Sequence, residues 1–481
     1  MKKFSYKRWL SGLALVAGLV ACDDDFEKLN SDPDNAKDVP SAYLLTGGEY
    51  EMMSVLHDEW NQGRFGMLWA QYWTQQEYTN ESRYKLRDGS IGNLWRDMYA
   101  GSMMDLTTVI KKEETPNYVA IATLVRAWNM QVVTDIWGDA PFKEAFQLGD
   151  NLTPAYDTQE SIYTTLLADV KSAHDMLDAS GAAVKGDVIY GGDIAKWKKF
   201  ANVLRMRLAL RMADVNEATA KSIFAEASSA SIFAGNDEEA SLVFEDNAAN
   251  ANPLSFNLGG RGQNDFAFSD TFVNYLKSMD DPRLMSFAPK AKKEGVGYAG
   301  RPFGQLESVA QAEKTELYSS GLGPKHKYTM PAVLLSYSEQ EFMLAEAVER
   351  GFIAGSAEDH FKKAVQASMD YWEVPAADAK TYMDNLTYNA SDWKKSIGTQ
   401  KWIALYNQNA QGWIEWRRLD FGIFKMPAGG IHENALSDVI PTRLRYPLTE
   451  DDLNEANLKA SLSTSGYGED RQDKKVWWDV N

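Results

Sequence analysis

The sequence contains a single cysteine, Cys22, and only five histidines. A lone thiol excludes a disulfide framework and a thiolate metal cluster. The histidines, at positions 57, 174, 326, 360 and 432, show no ligand spacing, so we expect neither a metal site nor a cofactor held by one. Acidic residues outnumber basic ones by 68 to 50, giving a net charge of −18, and nucleic acid is therefore an unfavourable partner because its phosphates would be repelled.

The chain also lacks an apolar run that is long enough to cross a membrane. The run from Leu13 to Ala21 is shorter than the roughly 20 residues that a spanning helix needs. Basic residues between Lys2 and Arg8 precede it and Cys22 follows it, an arrangement typical of a secretory signal whose cysteine receives a lipid. We predict a signal peptide over 1–21, lipidation of Cys22 and a flexible tether over 22–40. An ordinary signal peptide with an incidental cysteine is the alternative.

Most of the remaining chain has the apolar spacing of helices. Residues 41–76, 91–110, 116–136, 159–177, 194–212 and 382–421 are predicted to be helical, whereas 440–481 reads as an extended tail. A capping box of Ser338 and Glu341 starts another helix. Small and aromatic residues at Leu344, Ala345, Ala357, Phe361 and Ala364 fall where a tetratricopeptide repeat places its packing residues, and the spacing of Ala220, Phe224 and Ala227 repeats half of that pattern.

The segment 236–327 is different, because glycine, asparagine and short apolar runs replace the helical period there. Long irregular segments within a helical chain are often functional. The sequence therefore predicts a mainly α-helical protein in which tetratricopeptide-like helix pairs form a superhelical scaffold. It predicts one helical domain over 41–481, with an irregular, loop-rich part over 236–327.

Motifs for catalysis are missing or out of context. The stretch Gly295-Val296-Gly297-Tyr298-Ala299-Gly300 matches a dinucleotide pattern, but it neither follows a predicted strand nor opens a helix. No serine elbow or metal-binding helix motif is present. A glycosidase needs two placed carboxylates, and sequence alone does not place a pair among 68 acids. The sequence motifs therefore give only weak support to an enzymatic function.

Several motifs occur in a fixed order along the chain and carry a family resemblance. They are Asn30-Ser31-Asp32-Pro33, Trp69-Ala70-Gln71-Tyr72, Val133 to Phe142, Leu344 to Ala347, Glu415-Trp416-Arg417-Arg418 and Ile440 to Pro447. Together they resemble the SusD/RagB family of outer-membrane lipoproteins over essentially the whole chain. The resemblance implies a lipid-anchored surface protein, not an enzyme, that captures an oligosaccharide, or in some members a peptide, for a SusC-like TonB-dependent transporter. It also implies that the irregular, loop-rich part over 236–327 carries the ligand-binding surface.

The acidic residues directly after Cys22 bear on the location. Asp23, Asp24 and Asp25, followed by Phe26 and Glu27, resemble the signal that sends lipoproteins of Bacteroidetes-type bacteria to the exterior of the outer membrane. A solvated acidic linker explains the same residues. We expect the protein to face the cell exterior.

Sugar recognition favours exposed aromatic rings beside amides and charged groups. Near the first predicted hairpin, Trp73 and Tyr78 are expected to project from a helix tip with Asn80 and Arg83, whereas Trp69 fits a core stripe equally well. In the glycine-rich loop the candidates are Tyr298, Arg301, Phe303 and Tyr318. Trp128, Trp197 and Trp416 are assigned to the core. A peptide-binding relative, a surface glycosidase and a scaffold without ligand affinity remain as alternatives.

Overall fold

The computed structural model describes residues 39–113, 115–147, 150–260 and 265–480. The predicted signal peptide, Cys22 and nearly all of the predicted tether lie outside these residues. Helices dominate what is described and the only ladders are two-stranded, so the mainly α-helical fold class is confirmed for this part of the chain. In the described part, helices that combine the length and the apolar character needed to cross a bilayer are absent.

The described residues of the first half of the chain form seven α-helices, and successive ones pack against each other from α3 to α7. A π-helical segment, Asp97–Met103, joins the second and third of them into one continuous stretch. The helices are α1 (Ser41–Leu56), α2 (Asp88–Arg96), α3 (Met104–Lys112), α4 (Pro116–Trp137), α5 (Gln159–Met176), α6 (Ile194–Arg211) and α7 (Glu217–Ser228).

The sequence predicts the ends of α4 well. Pro116 occupies its first turn, where the missing N–H costs nothing. Gly138 ends helix α4 with a backbone φ of 92°, a conformation that residues other than glycine rarely adopt. The predicted packing residues of α7, Ala220, Phe224 and Ala227, are all fully buried.

The expected continuous helix over 41–76 is wrong. After α1 the chain forms a π-helical segment, Glu59–Met67, and then strand β1, Trp73–Gln75. The side chain of Asp58 accepts a hydrogen bond from the amide of Asn61 (2.6 Å) and starts a new helical segment there. The apolar residues of 65–73 are buried by later parts of the chain, and this non-local packing overrides their helical spacing.

The irregular segment is confirmed as irregular, since the longest helix described between residues 236 and 327 has nine residues. Its strands pair with distant parts of the chain in two antiparallel ladders, β1 with β3 and β2 with β4. The elements from here to the fourth strand are β2 (Ala240–Leu242), α8 (Pro253–Ser255), β3 (Phe266–Phe268), α9 (Asp270–Ser278), α10 (Arg283–Phe287), α11 (Glu307–Ala312) and β4 (Ala332–Leu335).

The last part of the chain returns to helix pairs. The helices are α12 (Tyr337–Glu349), α13 (Ala357–Tyr371), α14 (Ala376–Asn385), α15 (Trp393–Ala404), α16 (Gln411–Leu419), α17 (Leu448–Leu453) and α18 (Glu455–Thr464). Helix α12 packs on α13, α15 and α6, which joins this part to the first half. The predicted repeat residues Ala345, Phe361 and Ala364 are buried between α12 and α13, as expected.

Three expectations for this part need correction. The cap of α12 is Ser336, which accepts from the amide of Glu339 (3.1 Å), while Ser338 donates to the carbonyl of Ala364. The supposed extended tail contains α17 and α18, and α18 packs Leu458 and Leu462 into the protein interior. Trp416 is only half-buried, with its ring stacked on Phe424 at 4.7 Å, whereas Trp128 and Trp197 lie in the core.

A buried network of charged side chains lies between the helices. Arg418 donates to both carboxylate oxygens of Glu346 (2.5 and 2.6 Å) and to Glu415 (2.7 Å). Glu415 also pairs with Arg211 and with Lys401 (3.1 Å). Burial alone would raise the pKa of Glu415, but these cations hold it well below its usual value. Each charge is therefore compensated, as buried ions require.

The same network continues to Asp135 on α4. Its carboxylate accepts from the Tyr163 hydroxyl and from the indole of Trp478 (2.9 Å), and its carbonyl accepts from Arg417 (2.7 Å). The guanidinium of Arg417 lies 3.8 Å from the ring centroid of Trp413. We call Asp135, Arg211, Glu346, Lys401, Glu415, Arg417 and Arg418 the buried charged frame. It ties α4, α6, α12, α15 and α16 to the end of the chain.

Candidate functional site

The loop after strand β1 carries the most exposed of the predicted ligand-binding rings. Tyr78 is 56% exposed and Asn80 beside it is also exposed. Tyr78 has a backbone φ of 54°, a left-handed conformation that is uncommon for a tyrosine. This turn directs the loop outwards although strand β1 itself is entirely buried.

Polar contacts hold this loop in place from below. The buried side chain of Gln75 donates to Glu81 (2.7 Å) and accepts from the amide of Ser82 (2.9 Å). The amide of Thr79 donates to Glu307 on α11 (2.7 Å). The loop is therefore fixed both to itself and to the irregular segment, and Tyr78 is presented on a rigid support.

Trp73 does not project from a helix tip, and that expectation is wrong. It lies in strand β1 opposite Phe268 and is fully buried. Its ring packs against Phe266 and His326, with centroids at 5.5 and 5.9 Å, and its indole donates to the Tyr406 hydroxyl (3.3 Å). In this structure Trp73 offers no ring face to a ligand. Trp69 is likewise fully buried.

Two candidates of the glycine-rich loop are also buried, contrary to expectation. Arg301 is fully buried, donates to Gln305 (3.0 Å) and to the carbonyl of Ala310, and reaches Gln76 (3.4 Å). Burial lowers the pKa of Arg301. Phe303 is 3% exposed. Both residues support the loops around them and do not face solvent.

The two tyrosines of the same loop keep part of their surface. Tyr318 is half-buried, donates to Glu313 (2.8 Å) and lies 5.1 Å from the guanidinium of Arg301. Burial and the Glu313 carboxylate raise the pKa of Tyr318. Tyr298, also half-buried, is joined to it through a backbone hydrogen bond between Ser319 and Ala299 (2.8 Å). The Tyr318 ring is therefore held through its hydroxyl, and both rings keep part of their surface open.

A third segment closes the region. Arg83 donates through Nε to the carbonyl of Gly430 (3.0 Å) and accepts at its own carbonyl from the amide of His432 (3.0 Å). Gly304 lies between this segment and the Tyr78 loop, where an added Cβ would come within 2.7 Å of the Ser82 carbonyl. The structure thus brings the two stretches predicted from sequence to one region. We call Tyr78, Asn80, Arg83, Tyr298 and Tyr318 the candidate binding surface.

One exposed ring near this surface was missed by sequence reasoning. Trp60, in the first π-helical segment, is 37% exposed, and the guanidiniums of Arg64 and Arg87 lie 4.8 and 4.9 Å from its ring. Arg87 also pairs with Glu81 in the Tyr78 loop (3.2 Å). The only sequence signal was the spacing of Trp60 four residues before Arg64. We did not recognise it because we expected residues 41–76 to form one continuous helix.

The chemistry of this surface is that of non-covalent recognition. An exposed tyrosine ring can cover the apolar C–H patch of a pyranose, while an amide, a guanidinium and hydroxyls bond its hydroxyl groups. Among the residues that the structure describes, no group of three or more histidine, cysteine, aspartate or glutamate side chains is placed to hold a metal ion.

Comparison with known proteins places the chain among outer-membrane binding proteins. Residues 33–447 match a SusD-like family model described as starch-binding and associating with the outer membrane. No curated protein matches the chain significantly. A solved structure named as a chitin-binding protein is 31% identical, with a TM-score of 0.82 over 92% of this chain and 100% of the other.

Two further structures share the fold. A chitin-binding SusD homologue from Flavobacterium johnsoniae is 22% identical, with a TM-score of 0.81, and the alignment covers 91% of this chain and 99% of the other. A SusD homologue from Bacteroides fragilis is 23% identical, with a TM-score of 0.77, over 92% and 100%.

Proposed function

The chain belongs to the SusD-like family of outer-membrane-associated nutrient-binding proteins, and we propose that it is a cell-surface lipoprotein that captures an oligosaccharide. Cys22 carries the lipid, and 22–40 is the tether in this proposal. The captured glycan is delivered to a SusC-like TonB-dependent transporter in the same membrane. The single-domain organisation over 41–481 is part of the proposal.

The observation that carries this proposal is the candidate binding surface. Tyr78 presents an aromatic ring from a loop held by Gln75 and Glu307, next to the amide of Asn80. A loop that is already held in place loses little conformational entropy on binding, which favours affinity. The half-buried Tyr298 and Tyr318 supply further ring edges and hydroxyl groups in the same region.

The related proteins support binding and not catalysis. The family description and the names of the two chitin-binding structures refer to binding. We therefore propose a chitin-type oligosaccharide as the first ligand to test, because one of these structures is also 31% identical in sequence. If the ligand is instead a peptide, the proposed fold and location remain the same and only the class of ligand changes.

Calorimetry of residues 23–481 with chitooligosaccharides, malto-oligosaccharides and peptides tests the proposal. We expect one glycan class to bind, and Tyr78→Ala to weaken its binding about tenfold, the loss of roughly 1.4 kcal/mol. Tyr43→Ala is the matched control, since Tyr43 is a 69% exposed tyrosine on α1. Binding of peptides alone would overturn the glycan assignment, and unchanged glycan affinity in Tyr78→Ala would overturn the site.

A further inference from the structure

A separate cleft of about 450 Å³ lies between helix α9 and the helices α14 and α15. Its volume falls in the range of small-molecule sites. It is lined by Tyr275, Met279, Phe361, Tyr382, Asn385, Leu386, Thr387, Asn389, Asp392, Lys395, Ser396, Thr399 and Gln400. None of these residues belongs to the candidate binding surface.

The floor of the cleft is polar and pre-arranged. The buried amide of Gln400 donates to the Tyr382 hydroxyl (2.9 Å) and accepts from Arg283 (2.5 Å). Arg283 is in turn held by Asp281 (2.6 Å) and donates to the hydroxyl of Ser368 (3.1 Å). Burial raises the pKa of Tyr382, so its hydroxyl remains protonated. The floor therefore needs no rearrangement to meet a ligand.

One wall of the cleft is apolar. Tyr275 on α9 is half-buried, and its ring lies edge-on to Trp402 with centroids 6.0 Å apart. Met279, from the end of the same helix, and Leu386, after α14, also line the cleft. A partly exposed tyrosine ring beside aliphatic groups suits the C–H face of a sugar ring.

The mouth of the cleft carries hydrogen-bonding groups that are not used within the protein. Asp392 and Lys395 are exposed, and neither side chain makes a hydrogen bond or ion pair with the described residues. Their opposite charges balance, so the mouth has no preference for an anion or a cation. A carboxylate acceptor and an ammonium donor together suit the hydroxyl groups of a neutral ligand.

We propose that this cleft is a second carbohydrate site, which takes one or two neutral sugar units between Tyr275 and the mouth formed by Thr387, Asp392 and Lys395. The site is distinct from the candidate binding surface. The backbone carbonyl of Tyr298 on that surface accepts from Lys277 (3.3 Å), which lies on α9 two residues beyond Tyr275 and does not line the cleft. The second site stands whether or not the first one binds glycan.

Thiol protection tests the site directly. Residues 23–481 contain no cysteine, so Thr387→Cys places a unique thiol at the mouth. We expect chitobiose or maltose, at about ten times its dissociation constant, to slow alkylation of this thiol about tenfold. The control is Ala377→Cys, at an exposed position on α14 outside the cleft. Its thiol should be alkylated at the same rate with and without sugar. No protection of Thr387→Cys by either sugar overturns the proposal.

A charge-neutral pair of substitutions separates this site from the first. In the Thr387→Cys background, Asp392→Ala with Lys395→Ala should abolish protection, while Tyr78→Ala should leave it intact. The control pair is Lys380→Ala with Asp384→Ala, which removes an exposed ion pair of α14 (2.7 Å) without touching the cleft. Protection that survives in the cleft variant, or that disappears in Tyr78→Ala, contradicts a second site; the latter result would support the candidate binding surface alone.

Discussion

The buried charged frame and the candidate binding surface differ in what fixes their residues. In the frame the charges pair across helices, as Glu415 on α16 does with Arg211 on α6 and Lys401 on α15. On the surface Tyr78 and Asn80 face solvent, and only the loop beneath them is held by hydrogen bonds. The family motif Glu415-Trp416-Arg417-Arg418 therefore forms part of the supporting core, whereas the residues of the candidate binding surface lie outside the motifs that carry the family resemblance.

The largest effect is expected in the frame. Glu346→Gln removes the charge that Arg418 and Arg350 share (2.5 and 2.8 Å) and leaves a buried guanidinium undercompensated. We expect a loss of about 3–5 kcal/mol in the free energy of unfolding. Chemical denaturation measures it. Glu358→Gln, in an exposed ion pair with Lys362 (2.7 Å), is the matched control and should cost less than about 0.5 kcal/mol; equal losses would remove the distinction.

The stability of the fold should depend on pH through His326, which is buried and packs against the ring of Trp73. Burial lowers its pKa to about 4 in the folded protein, below the usual 6.5. The unfolded chain therefore binds the proton first, and stability falls as the pH drops from 6.5 to 4, by up to about 3 kcal/mol.

His326→Asn keeps an acceptor for the Gly323 amide and cannot titrate in this range. Its unfolding free energy, followed by denaturation between pH 7 and pH 4, should fall less steeply than that of the wild type. A His326→Asn profile parallel to the wild type would contradict this account.

Trp73 sharpens the comparison, because the sequence favours it as a ligand contact and the structure buries it. Trp73→Phe keeps an apolar ring between Phe266 and His326 but loses the hydrogen bond to Tyr406. We expect about 1–2 kcal/mol of lost stability and a glycan affinity within about twofold of the wild type. Denaturation measures the stability and calorimetry measures the glycan affinity of the same variant. A large loss of affinity in a folded variant would show that Trp73 contacts the ligand.

Local sequence signals predicted the helices well and the surface only in part. Helix α4 is bounded by Pro116 and Gly138 and Ser356 caps α13, and such signals can be read from sequence because they act within one turn. Trp73 and Arg301 were misplaced because their burial depends on partners far along the chain. Trp73 pairs with Phe268 and packs on His326, while Arg301 is enclosed by Gln76, Gln305 and Tyr318.

The smallest effect on stability, and the most direct test, belongs to Tyr78. Its ring is 56% exposed, so Tyr78→Ala should change the free energy of unfolding by no more than about 0.5 kcal/mol. The decisive measurement is the glycan affinity of this variant by calorimetry, with its unfolding midpoint recorded on the same preparation. The account predicts a loss of about tenfold in affinity with an unchanged midpoint. Unchanged affinity, or a loss that accompanies a lowered midpoint, would contradict it.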